Sequence, residues 1–110
     1  MQISSRELKR VNVVTVGGRV DSAAAPDLEK TLQGLVENRR NQLVIELADV
    51  EYMSSAGLRA LVSALKAAKK GGGDLIIARP SARVREVIDL AGLTSIFTMH
   101  DDTLEAVGSF

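Results

Sequence analysis

The sequence predicts a single α/β domain built on a mixed sheet, and three observations predict it. Short apolar or β-branched runs ("VNVVTV", "QLVIEL", "DLIIA") alternate with segments whose apolar residues recur at helical spacing. Clusters of glycine, proline or serine separate these runs closely and leave no room for long loops. A chain of 110 residues, 45% of them apolar, suffices for one ordinary core. Strand–helix–strand units close as right-handed crossovers between parallel neighbours. Two strands with a short connection pair antiparallel instead, so the sheet is expected to be mixed.

The elements follow in order. "QISSRELKR" and "VNVVTVGG" read as two strands joined by a turn near Lys9 and Arg10. Val11, Val13, Val14 and Val16 give the second its β character, and Gly17 and Gly18 are expected to end it. In "RVDSAAAPDLEKTLQGLVENRR" residues Ala25, Leu28, Leu32, Leu35 and Val36 form one apolar helix face. Asp21 or Ser22 can cap its start, Pro26 lies early enough to be tolerated, and Arg39 and Arg40 are expected at its negative end. "QLVIEL" is a strand covered on both faces, and "ADVEYM" leads from it to two serines. From Ser55 onward Leu58, Leu61, Val62, Leu65 and Ala68 make a helical stripe, which "GGG" at 71–73 stops. "DLIIA" is a buried strand. "RPSARVREVIDLAG" is a helix with Val84, Val87 and Ile88 on one face, ending at Gly92. "SIFTMH" is a short strand, and "DDTLEAVGSF" a terminal helix whose acidic start suits a helix N-terminus. The order is β-β-α-β-α-β-α-β-α, about five strands and four helices; these patterns leave the order of strands within the sheet open.

Charge and composition exclude several functions. Fourteen basic residues balance fourteen acidic ones, and no sustained basic block exists, Arg39–Arg40 and Lys69–Lys70 being no more than pairs. With Tyr52, Phe97 and Phe110 as the only aromatics, the chain lacks the footprint of a nucleic-acid reader. There is no cysteine, and His100 is the only histidine, so neither a metal site nor a cofactor is expected. "MQISSRELKR" lacks the pattern of a signal peptide, and no apolar run is long enough to span a bilayer. The cytoplasm is the expected location.

The local feature that looks like chemistry is "YMSSAGL", where a strand gives way to a helix. Ser54 or Ser55 can act as the helix cap, accepting a backbone N–H of the first turn. A catalytic serine would need a base and an oxyanion site, yet "SSAG" is not a G-x-S-x-G elbow and nothing aims His100 at Ser55. An acceptor for a phosphoryl group fits the local physics. A helix N-terminus offers free N–H groups and partial positive charge. Arg59 follows one turn below Ser55, and Ser63 and Lys66 continue the same polar strip.

These residues also resemble a family. The pieces "GRVDSAAAPDLEKTL", "LVIELADVEYMSSAGLRALVSALKAAKKGGGDLIIA" and "SARVREVIDLAGLTSIFTMHDDTLEAV" resemble the STAS domains of bacterial anti-sigma factor antagonists, essentially over the whole chain. The family's usual centre reads Asp-Ser-Ser/Thr-Gly-Leu. Laid on it, Ser55 takes the phosphorylated position, Gly57 and Leu58 match, and Ser54 replaces the aspartate, which makes Ser54 the alternative acceptor. Glu46 stands where such domains often carry aspartate. The resemblance implies a single STAS domain over 1–110 that is not an enzyme. Unmodified, it would bind an anti-sigma factor, itself a serine kinase, and free a sigma factor. Phosphorylation at Ser55 would eject it, and a PP2C-type phosphatase would restore it. The resemblance places partner contacts at Asp21, Ser22, Met53, Ser54, Ser55, Arg59 and Ser63. The rival reading is a constitutive STAS scaffold or transport-complex subunit with no phospho-switch.

Overall fold

The computed structural model describes residues 1–110. Its order is β1 (Gln2–Leu8), β2 (Val11–Val20), α1 (Ala25–Glu37), β3 (Gln42–Met53), α2 (Ser55–Lys70), β4 (Asp74–Ala78), α3 (Ala82–Leu90), β5 (Thr98–His100) and α4 (Thr103–Gly108). The five strands lie in the sheet in chain order, β1-β2-β3-β4-β5. β1 and β2 are antiparallel; every later pair is parallel. Three successive right-handed crossovers that advance in one direction must put their helices on one face. α1, α2 and α3 accordingly share the larger core with Leu43, Ile45, Leu47, Leu75 and Ile77. α4 follows the last strand and is no crossover. It takes the opposite face, where Ala106 and Val107 pack on Val11, Val13, Val44, Ile76 and Ala78.

Several sequence expectations need correction. Gly17 and Gly18 do not end β2. The strand runs through them to Val20, with breaks in register beside both glycines and Gly18 at φ 82°. β3 likewise absorbs "ADVEYM" and reaches Met53. Neither Asp21 nor Ser22 caps α1. Asp21 Oδ1 instead accepts the N–H of Ala24 at 2.9 Å, closing a turn before the helix, and α1 begins at Ala25 with no side-chain cap. Arg39 and Arg40 lie beyond the last turn of α1, which holds no basic residue. Lys9 and Arg10 form a two-residue hairpin with both residues left-handed, at φ 53° and 69°. Asn-Gly would adopt that turn without strain. α2 does stop at the glycines, but the left-handed residue is Gly72 (φ 90°), one place after the cap at Gly71.

One charged group of β3 is buried. Glu46 is only 8% exposed. Its carboxylate accepts from Thr15 Oγ1 and Thr103 Oγ1, both at 2.5 Å, and from Arg6 Nη1 at 3.2 Å. This carboxylate thereby ties β1, β2 and β3 to the first residue of α4. Burial pushes its pKa up. The hydrogen bonds from Thr103, Thr15 and Arg6, with the charge of Arg6, outweigh burial and hold it below the ordinary carboxylate value.

Candidate functional site

β3 delivers the two serines to the end of the sheet where α2 starts. Ser54 has extended backbone (φ −78°, ψ 165°), and its Oγ accepts the N–H of Gly57 at 3.1 Å. Its carbonyl accepts Leu58 N–H at 3.0 Å, and its own N–H donates to Val20 O at 2.8 Å. Of the two serines, Ser54 is therefore the helix cap. Ser55 is the first helical residue, exposed, and its hydroxyl has no partner within the protein.

Gly57 explains why this junction is tight. A Cβ built there would come within 2.5 Å of Met53 Sδ and 2.9 Å of Val20 Cγ1. The missing side chain lets the first turn of α2 lie directly on the ends of β2 and β3. Met53 is 3% exposed and belongs to this floor, so it corrects the expectation of a partner-facing side chain.

Ser55 opens onto a groove of about 660 Å³ lined by residues of α2, Glu29 of α1, and Ala91 and Leu93 after α3. Arg59 and Ser63 lie in it with Ser55, as their helical spacing predicts, and Lys66 continues the strip. Ser63 is half-buried, its Oγ accepting Gln33 Nε2 at 3.2 Å. Asp21 is half-buried and Ser22 exposed; neither lines the groove, although the bond from Ser54 to Val20 keeps their loop beside the serines. Sequence reasoning missed the groove's apolar part. Val62 reads as core but is half-buried at the margin of the α2 stripe, and Ala91 and Leu93 come from a distant segment. Leu90, next to Ala91, is 80% exposed. Only the width of the apolar stripe on α2 hinted at such a surface.

The cap assignment makes a separable prediction. Ser54→Ala is expected to lower stability by about 1 kcal/mol, and Ser55→Ala to stay within about 0.5 kcal/mol of the parent. Urea unfolding of the two variants checks it; equal losses would mean that Ser54 is not the cap.

Comparison with known proteins agrees with this architecture. The sequence model of the STAS domain family matches residues 2–106. The chain is 32% identical over 90 residues to the anti-sigma-B factor antagonist of Staphylococcus epidermidis, covering 82% of this chain and 83% of that one. A crystal structure of an anti-sigma factor antagonist from Mycobacterium paratuberculosis superposes with a TM-score of 0.88 at 28% identity, covering 98% of this chain and 92% of that one. The phosphorylated form of the Bacillus cell fate determinant SpoIIAA shares the fold, with a TM-score of 0.79 at 17% identity over 98% of both chains. The family match spans nearly every element described above, from β1 into α4, and the chain belongs to the STAS domain family.

Proposed function

We propose that this protein is an anti-sigma factor antagonist controlled by phosphorylation of Ser55. The observation that carries the reading is the division of labour between the serines. Ser54 Oγ is engaged in the cap, whereas Ser55 Oγ is unpartnered at the mouth of a groove. The relatives named above are anti-sigma factor antagonists, and their role comes to this chain with the groove as its docking surface. The unmodified protein binds an anti-sigma factor that is a serine kinase, across Ser55, Arg59, Ser63 and the exposed apolar margin, with the Asp21–Ser22 loop at the edge. This sets a sigma factor free in the cytoplasm.

Transfer of a phosphoryl group to Ser55 adds about −1.5 to −2 charges and three acceptor oxygens where the partner met a hydroxyl. The N-terminus of α2 stabilises that charge, and Arg59 one turn below can approach it. The fold is kept, and the partner is displaced by bulk and charge. A PP2C-type phosphatase reverses the change. The chain itself contributes a binding surface and no chemistry of its own. No helix of the structure is long and apolar enough to cross a membrane.

The test is mass spectrometry of the protein after incubation with its cognate kinase and ATP. One added phosphate is expected, mapped to Ser55 and lost in Ser55→Ala. Ser55→Asp is expected to bind the kinase roughly tenfold or more weakly, a loss of about 1.4 kcal/mol or greater. Its melting midpoint should stay within a few degrees. Absence of incorporation would favour a constitutive scaffold, and incorporation at Ser54 would overturn the division of labour.

A further inference from the structure

The far end of β3 from Ser55 carries a feature of a different kind. The turns before β2, β3 and β4 meet there and line an open polar cavity of about 360 Å³. Arg10, Arg39 and Arg40 line it with Glu7, Asn41, Gln42 and the glycine loop; no apolar side chain does. Within a chain of zero formal net charge, this end gathers Lys9, Arg10, Arg39, Arg40, Lys69 and Lys70.

Two helices end here with their carbonyl poles, and cations could be present simply to offset them. Lys69 and Lys70, in the last turn of α2, have that role. Arg10 lies in a hairpin, and Arg39 and Arg40 lie outside α1. Arg40 pairs with Glu7 at 2.9 Å, but no carboxylate lies within salt-bridge distance of Arg10 or Arg39. Both of these unpaired arginines also hold left-handed backbone, at φ 69° and 62°. Glycine or asparagine would sit there without strain. The hairpin sets this backbone at Arg10 and the end of α1 sets it at Arg39, and together they leave two guanidinium groups without a carboxylate partner on one concave polar surface.

We propose that this cavity binds a small, multiply charged phosphate anion, with Arg10 and Arg39 as its main donors. Guanidinium groups match phosphate oxygens in bidentate geometry. The loop N–H groups do not contribute, since those of Gly71, Gly72 and Gly73 already close the end of α2. The site is independent of the Ser55 surface, from which it is separated by the length of β3.

The probe is inorganic pyrophosphate, titrated into the full chain at low ionic strength and followed by calorimetry and by amide chemical shifts. Saturable binding is expected, with shifts centred on Arg39, Arg40 and Gly71–Gly73, weakening as salt is added. The double variant Arg10→Asn, Arg39→Asn removes both charges and suits the left-handed backbone. It should bind at least about tenfold more weakly, with a melting midpoint equal to or above the parent's. Ser55→Asp should bind pyrophosphate like the parent, so that failure of the Ser55 reading and failure of this one are told apart. The proposal is overturned if the parent does not saturate at millimolar pyrophosphate, or if the double variant binds as well as the parent. Sedimentation with phosphatidylglycerol vesicles without saturable pyrophosphate binding would also overturn it, in favour of a membrane surface.

Discussion

Gly73→Ala is expected to destabilise the protein by about 3 kcal/mol, the largest effect of any single methyl group added here. A Cβ at position 73 would lie 1.9 Å from the backbone oxygen of Asn41 and 2.5 Å from its carbonyl carbon. That oxygen is not free to move. It accepts the N–H of Asp74 at 2.9 Å, just before the first rung that pairs Gln42 with Asp74. Gly73 is fixed from its other side as well, its N–H donating to Ala68 O at 2.9 Å. To admit the methyl group, either the start of the β3–β4 ladder or the end of α2 must shift. The midpoint of thermal unfolding should fall by about 13 °C. Gly34→Ala is the control. Nothing lies within 4 Å of its added Cβ, and it sits inside α1. That substitution should stabilise by about 0.5–1 kcal/mol. A Gly73→Ala protein that melts with the parent would mean that the two turns do not approach as described.

Glu46→Ala is the second large effect, an expected loss of about 2–3 kcal/mol. The substitution removes the acceptor for Thr15 and for Thr103, which is itself buried, and leaves a void between β3 and α4. Arg6 is half exposed and turns to water, so its ion pair adds little to the loss. The pH dependence follows from the depressed pKa. A carboxylate with a lower pKa folded than unfolded stabilises the protein above the unfolded value, and that contribution is lost as pH falls through the folded value. The stability difference between parent and Glu46→Ala should therefore be constant near neutrality and shrink below about pH 4. Urea unfolding between pH 3 and pH 7 measures it. A difference that stays flat through the acid range would separate Glu46 from the linkage.

Much of the fold was legible because period and punctuation agreed. α2 is the clearest case. Its apolar stripe, the serines before it and the glycines after it name both ends, and the structure begins it at Ser55 and ends it at Lys70. Strand ends were less legible, since residues past the apolar run continue β2 and β3 by pairing with each other, as Arg19 does with Tyr52. At the candidate site the polar strip was readable from helical spacing alone. The groove's far wall was not, because Ala91 and Leu93 reach it only through tertiary packing. At Glu46 the better signal is not the departure from aspartate but a charge inside "QLVIEL", which demands partners from elsewhere. The basic pairs read as scattered until three turns brought them to one end of the sheet.

The plain succession of strands across the sheet bears on how the molecule is made. Each strand from β2 onward docks against one already synthesised, and none must wait for a later segment to slot between two earlier ones. Assembly can therefore keep pace with the ribosome, the hairpin first and each crossover laid down beside it. Only the short terminal helix, closing over the opposite face, completes the domain after the last strand has been released.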